Sequence, residues 1–150
     1  MTDDTILNRY ADELTSVKYI TNPAIARDKE IKELILVLLT PEKSAILVGK
    51  PGIGKTAIVE GLAYLIQQKQ VPNALLGYRI FRVNTTALIG NDNKGENRVL
   101  KLVEELKTQD KVILFIDEIH TLIGNGTFDL ANMFKEGLSR GTIKMIGAST

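Results

Sequence analysis

The apolar runs of the chain are short and widely spaced, which is the pattern of buried strands in a parallel sheet. These runs comprise residues 45–48, 112–116 and 143–148. A fourth strand is predicted at residues 79–84, where Ile80, Phe81 and Val83 are apolar and two arginines lie among them. The arginines favour a partly exposed or edge position for this strand.

Before and between these runs, apolar residues recur every three or four positions, which predicts amphipathic helices. The helical stretches are residues 4–15, 28–40, 55–70, 99–106 and 130–138. Asp28 is the expected N-cap of the second helix, and Pro41 ends it. Residues 18–23, 89–95 and 124–126 are predicted to be irregular. Because helices alternate with strands, we predict an α/β fold, with a mostly parallel sheet covered by helices on both faces.

A glycine-rich stretch joins the first predicted strand to the helix that follows it. Residues 49–56 read G-K-P-G-I-G-K-T, which is the complete pattern of a phosphate-binding loop. Glycines let main-chain N–H groups turn toward phosphate oxygens, and the helix adds the positive end of its dipole. Lys55 is expected to reach the β- and γ-phosphates, and the Thr56 hydroxyl to be a ligand of Mg²⁺. The strand–loop–helix context favours this interpretation over a glycine-rich joint without a ligand.

Two adjacent carboxylates, Asp117 and Glu118, come directly after the third predicted strand. The carboxyl ends of parallel strands meet at one edge of a sheet, where ligands bind. Asp117 is expected to hold Mg²⁺, and Glu118 to polarise the water that attacks the γ-phosphate. Consecutive side chains on a strand point in different directions, so one carboxylate can face the metal and the other the water. Alone, the pair would also fit a solvated acidic turn; beside a phosphate-binding loop, the catalytic interpretation is favoured.

Thr150 follows the last predicted strand at the same edge of the sheet. Its hydroxyl could contact the γ-phosphate or the attacking water, or the residue could belong to a frayed end, and the sequence leaves both interpretations open. His120 is the only histidine, and we expect it to pack as a neutral side chain rather than to bind metal.

Composition narrows the function classes. The length of 150 residues indicates one domain, and the absence of cysteine excludes disulfides and thiolate metal sites. A net charge of +1 gives no argument for nucleic acid or anionic lipid as a partner. The apolar runs are too short to span a bilayer, and the polar, acidic start is unlike a signal peptide. We therefore expect no membrane association and a cytoplasmic location.

Four segments together resemble the Clp family of AAA+ ATPases, the ring-forming protein unfoldases and disaggregases. These segments are N-P-A-I-A-R-D-K-E-I at 22–31, G-K-P-G-I-G-K-T-A-I-V-E-G-L-A at 49–63, V-I-L-F-I-D-E-I-H-T-L-I-G at 112–124 and I-G-A-S-T at 146–150. The similarity is to the large subdomain of the first nucleotide-binding module, a three-layer P-loop NTPase sandwich. It implies a helix and linker at 1–22 and an ATPase subdomain at 23–150, incomplete and without the C-terminal lid.

The resemblance implies ATP or ADP as the ligand, Mg²⁺ as its ion, unfolded polypeptide as a partner and assembly into a ring. It makes Glu118 the catalytic glutamate, Thr150 the residue that senses the γ-phosphate, and Lys55 a third residue of the reaction. It places Ala24, Ile25 and Ala26 at the border of the adenine, although the family usually has glycine at the position of Ala26. The implied nucleotide contacts are Ile25, Ala26, Pro51, Gly52, Ile53, Gly54, Lys55, Thr56 and Ala57, and the metal ligands are Thr56 and Asp117.

The sequence also departs from the family. Asn93 stands where the family has the aromatic residue that grips substrate in the ring pore, and an amide lacks that large rigid face. The loop at 124–129 is several residues shorter than in the family. Both departures weaken the expectation of polypeptide threading. If the sheet follows the family order, the strand at 45–48 becomes an exposed apolar edge, which favours self-association or marginal stability.

Two other functions stay open. A module that holds nucleotide without turning it over is a serious alternative, because the family uses an arginine from a neighbouring subunit for hydrolysis. A nucleic-acid helicase is suggested by the letters D-E-I-H at 117–120, but the near-neutral charge and the lack of a basic or aromatic platform oppose it.

Overall fold

A computed structural model describes residues 5–41, 44–49, 54–88, 98–119 and 143–149. Its five strands form one sheet in the order β1-β3-β4-β5-β2. The strands are β1 (Ala11–Glu13), β2 (Ala45–Val48), β3 (Arg79–Asn84), β4 (Val112–Asp117) and β5 (Ile143–Ser149). β1 is antiparallel to β3, and the other three pairings are parallel. The mostly parallel α/β sheet predicted from the apolar runs is confirmed.

Helices cover both faces of the sheet, as their apolar stripes predict. They are α1 (Ile6–Tyr10), α2 (Asp28–Leu39), α3 (Lys55–Gln67), α4 (Thr85–Leu88) and α5 (Arg98–Leu106). α2 and α3 pack with Ile113 and Phe115 in one core, and α1, α4 and α5 pack with Leu114 and Ile116 in the other. Alternate β4 residues therefore serve opposite faces, so the strand is buried on both sides.

The prediction of a helix over residues 4–15 is wrong in its second half. α1 ends at Tyr10, and the chain continues as β1, where Ala11 is paired with Val83. Leu7 lies in one core and Leu14 in the other. A helix would present both side chains to one face, whereas the extended segment carries the chain around the edge of the sheet. β1 also supplies main-chain partners to β3, so β3 is not an edge strand. The other expected position, a partly exposed one, is what the structure shows, since Arg79 is exposed and Arg82 is partly exposed.

The strand that precedes the glycine loop, β2, is outermost among the described strands on its side of the sheet. Ile46 and Val48 are 53% and 69% exposed there. This is the apolar edge that the resemblance predicts. The start of α2 is one residue earlier than expected, because Arg27 occupies the N-cap position and Asp28 is the first helical residue.

The predicted loops at 89–95 and 124–126 and the predicted helix at 130–138 lie outside the described residues. None of the described helices combines the length and apolar character needed to cross a membrane.

Candidate functional site

The glycine loop leaves β2 and enters α3 as the motif predicts. Gly54 is the N-cap of α3 and has a φ of +89°, a conformation that side chains disfavour. A β-carbon at Gly54 would lie only 2.8 Å from Nη2 of Arg27. The backbone turn therefore favours glycine here, and a larger residue would also make the Arg27 guanidinium shift.

Lys55, the first residue of α3, extends its side chain across the mouth of the loop. Its Nζ donates hydrogen bonds of 2.9 Å to the carbonyl oxygens of both Gly49 and Ser149. The N–H of Gly49 also donates to the Ser149 carbonyl, at 3.2 Å. The ammonium group thus lies where the ends of β2 and β5 meet the helix N-terminus. Thr56 and Ala57 follow in the first helical turn and are half-buried.

Asp117 is the last residue of β4 and forms an ion pair with Arg82 of β3. Nη2 of Arg82 lies 2.8 Å from Oδ2 of Asp117. Arg82 is in register with Phe115, so Arg82 and Asp117 share the face of the sheet on which α3 packs. The structure therefore places the predicted metal carboxylate on the sheet face that is covered by α3, the helix that begins at Lys55.

Glu118 has a φ of +54°, which is uncommon for a residue other than glycine. Its N–H donates to Oδ1 of Asp117 at 3.1 Å, and its carbonyl accepts from the Thr85 hydroxyl at 3.3 Å. The Ile119 N–H then donates to the Ala148 carbonyl at 2.9 Å, so pairing with β5 resumes. The side chain of Glu118 is exposed, and left-handed strain of this kind is found preferentially at functional sites.

The segment before α2 lies beside the loop. Ile25 is 73% exposed, and Ala26 has a φ of +69°. The left-handed conformation of Ala26 explains why glycine suits this position, as it does in the resembled family. Arg27 then packs on Gly54 and lines a groove of about 390 Å³ together with Lys55 and Ile58.

Several predicted contacts are not placed. Pro51, Gly52, Ile53 and Thr150 lie outside the described residues, as do Asn93, His120 and the short loop at 124–129. Conversely, sequence reasoning assigned no role to Arg82 and left Arg27 open. The sequence signal for Arg82 was a charged residue between the apolar Phe81 and Val83. Its strand is the neighbour of the strand that ends at Asp117.

The donor set fits Mg²⁺. Within the described ranges, no group of three or more acidic, histidine or cysteine side chains comes together. Magnesium commonly uses one or two protein oxygens and completes its shell with phosphate oxygens and water. The Thr56 hydroxyl and the Asp117 carboxylate are oxygen donors of that kind, and Lys55 and the α3 N-terminus supply positive charge for phosphates.

Comparison with known proteins agrees with this geometry. Residues 45–149 match the family model described as "ATPase family associated with various cellular activities (AAA)". The chain is 44% identical, over 96% of its length, to the chaperone protein ClpB of Wolinella succinogenes, and 44% identical, over 86%, to the Clp protease ATP-binding subunit ClpC of Staphylococcus saprophyticus. It spans 18% and 17% of those relatives.

Solved structures give the same likeness. The S. cerevisiae Hsp104–ADP complex superposes with a TM-score of 0.78 and is 41% identical, covering 96% of this chain and 26% of that one. The S. cerevisiae Hsp104:casein complex superposes with a TM-score of 0.77 at 41% identity, covering 97% of this chain and 26% of that one.

Proposed function

The chain belongs to the AAA family of ATPases, as a Clp-type module, and from this we propose that it binds ATP or ADP with Mg²⁺ and hydrolyses ATP when assembled. The observation that carries the proposal is the position of Lys55. Its ammonium group is held by the carbonyls of Gly49 and Ser149, on the sheet face that also carries Asp117.

Each residue has a defined task in this proposal. Lys55 exchanges its carbonyl partners for phosphate oxygens, and the main-chain N–H groups from Gly52 to Ala57 donate to the phosphates, whereas Pro51 has no N–H to donate. Thr56 and Asp117 would hold Mg²⁺, which supplies charge neutralisation to the phosphates when bound. Glu118 accepts the proton of the attacking water, and Thr150 contacts the γ-phosphate or that water. In this proposal Lys55 binds the phosphates and Glu118 accepts the proton, so different side chains carry out binding and proton transfer.

The base is proposed to lie against Ile25 and Ala26. This is supported by Arg27, which packs on Gly54 and so brings the preceding two residues close to the start of α3. Arg27 also lines a groove together with Lys55, the residue proposed to bind the phosphates.

The partners are inferred from the relatives of the chain and not from the geometry of the site. Because the chain spans under a fifth of the length of the curated relatives it matches, unfolded polypeptide, ring assembly and a cytoplasmic location belong to the proposal. A matched relative is described in complex with casein, which makes unfolded casein the first substrate to test.

Nucleotide binding without turnover is the second candidate. The ion pair of Arg82 with Asp117 favours it, because a carboxylate already paired with a cation is a weaker metal ligand. Turnover under conditions in which the protein is assembled decides between the two candidates.

Calorimetry with ATP and Mg²⁺ tests the site, using Lys55→Ala and the control Lys32→Ala, whose side chain is exposed on α2. We expect Lys55→Ala to lose binding and the control to keep it; equal affinity for both would refute the site. Phosphate release from ATP is then measured under three conditions: without additions, with unfolded casein and with single-stranded RNA. Stimulation by casein supports the unfoldase function, stimulation by RNA would instead support a helicase, and absence of turnover supports a binding module.

A further inference from the structure

We propose that Arg82 competes with Mg²⁺ for Asp117 and thereby sets the magnesium concentration that the nucleotide site requires. The inference rests on the proposed nucleotide-binding function. It assigns to a strand residue outside the phosphate loop the control of metal loading.

The contact itself is the first support. Nη2 of Arg82 lies 2.8 Å from Oδ2 of Asp117, and the side chains are 37% and 21% exposed. The other oxygen, Oδ1, accepts the N–H of Glu118 at 3.1 Å. Both oxygens of the expected metal ligand therefore already have a donor. A metal ion that coordinates this carboxylate meets the positive charge of the guanidinium, which is the movable one of the two donors.

The fold holds Arg82 in this position. β3 is paired on both sides, with β1 and β4, so the backbone of Arg82 is fixed by two ladders. The neighbouring side chains Phe81 and Val83 are 6% and 0% exposed in the core on the opposite face. Arg82 therefore has to leave the sheet on the face of Asp117, and its long side chain extends toward the carboxyl end of β4.

A second carboxylate gives Arg82 somewhere to go. Asp12 of β1 is directly opposite Arg82 in the antiparallel pair, and it is exposed. Opposite residues of antiparallel strands have β-carbons about 5 Å apart, within reach of a charged pair. We infer that Arg82 moves from Asp117 toward Asp12 when Mg²⁺ engages the site. The exchange replaces one charge pair by another and leaves no buried charge unpaired.

The charges determine the direction of the effect. A guanidinium and a divalent cation on one carboxylate repel each other, so occupancy by one lowers the affinity for the other. Because both side chains are partly exposed, solvent screens the pair, and the competition is worth about two- to fivefold in Mg²⁺ affinity rather than several orders of magnitude.

The test measures the binding of a fluorescent ATP analogue by fluorescence anisotropy. The protein is first treated with EDTA, and Mg²⁺ is then added in steps. Arg82→Gln should lower the half-saturating Mg²⁺ concentration about two- to fivefold, and its affinity for the analogue in EDTA should not fall. Arg79→Gln is the matched control, since Arg79 lies on the same strand and its Nη2 donates to Gln109 Oε1 at 2.9 Å, away from Asp117. Asp12→Asn should raise the half-saturating concentration, because Arg82 loses its alternative partner.

The outcomes separate the two proposals. Wild type that fails to bind the analogue even in excess Mg²⁺ would overturn the nucleotide site, and this inference with it. Wild type that binds, with the same half-saturating Mg²⁺ in Arg82→Gln or with no response to Mg²⁺, would overturn the inference alone. A loss of affinity in EDTA for Arg82→Gln would instead assign Arg82 to phosphate binding and also overturn it. Thermal unfolding of each variant checks that the fold is intact.

Discussion

The Nζ of Lys55 lies 2.9 Å from the carbonyl oxygen of Ser149, although 94 residues separate them along the chain. The same nitrogen also donates to Gly49, so one side chain ties the end of β5 to the start of the phosphate loop. Hydrogen bonds from a charged donor are among the stronger ones in proteins. Lys55 therefore has a structural role in addition to its proposed role in binding.

Lys55→Met is expected to lower the free energy of unfolding by about 1–3 kcal/mol, because two carbonyls lose a charged donor. The measurement is urea unfolding without nucleotide. Lys32→Met, on the exposed face of α2, serves as the control and should change stability by less than about 0.5 kcal/mol. Equal stability of the two variants would show that the Lys55 bonds contribute nothing measurable to the fold.

Glu118→Gln is expected to keep nucleotide affinity and to lower the rate of ATP hydrolysis about a hundredfold or more, because an amide cannot accept the proton of water. The change is isosteric, and Glu118 is exposed, so stability should be unchanged. Phosphate release under saturating ATP gives the rate, and calorimetry gives the affinity. A variant that hydrolyses at the wild-type rate would remove Glu118 from the reaction.

Ala26→Gly is expected to stabilise the protein by about 0.5–1 kcal/mol, since the φ of +69° strains an alanine and costs a glycine little. The same substitution at Ala57, inside α3, should destabilise by about 1 kcal/mol through helix propensity. Urea unfolding of both variants measures the change in the free energy of unfolding, which should be positive for Ala26→Gly and negative for Ala57→Gly. Two decreases of similar size would mean that the backbone at Ala26 is not strained.

Gly61→Ala is expected to destabilise by about 1–3 kcal/mol although alanine is the better helix former. An added β-carbon would lie 2.5 Å from Cβ of Ala24 and 2.8 Å from Cδ1 of Ile31. These contacts force α3 away from the segment proposed to border the base, so nucleotide affinity should fall as well. Thermal unfolding and calorimetry measure the two effects, with Lys32→Ala as a surface control. Unchanged stability would show that this interface yields freely.

Alkaline pH should destabilise the protein partly through Tyr19. Burial, with a smaller contribution from the charge of Glu60, raises the pKa of Tyr19 from 10.0 to about 12. The unfolded chain loses this proton first, so the stabilising effect is complete below the unfolded pKa and is lost as pH rises toward the folded pKa. Between these values the free energy of unfolding should decrease with pH, and Tyr19→Phe should show a smaller decrease. An identical decrease in both proteins would exclude Tyr19 as its source.

Sequence reasoning recovered what local signals encode. β4 is a continuous apolar run, and the residues from Gly54 to Thr56 belong to a motif whose mechanism depends on the order of its letters, so both were predicted with correct positions. The parallel alternation of strands and helices then fixed the edge of the sheet at which the site forms.

The features that the sequence analysis missed depend on pairing between segments that are distant along the chain. Residues 11–13 have apolar neighbours at helical spacing, yet they form β1 because β3 needs hydrogen-bond partners along its edge. The contact of Arg82 with Asp117 likewise follows from the register of β3 on β4, which no local pattern specifies. The periodicity of a segment predicts whether it is a helix or a strand, whereas the partner of a strand depends on the topology of the whole sheet.

The position of β5 between β4 and β2 has a consequence for ligand size. Two strand-to-strand spacings separate the strand that carries Asp117 from the strand that leads to Lys55, which is about 10 Å. On the face of Asp117, the last buried residue of β5 is Ala148, whose side chain is small. In the proposed site, a short anion would therefore engage only one side of the interval, whereas an extended polyphosphate would engage both.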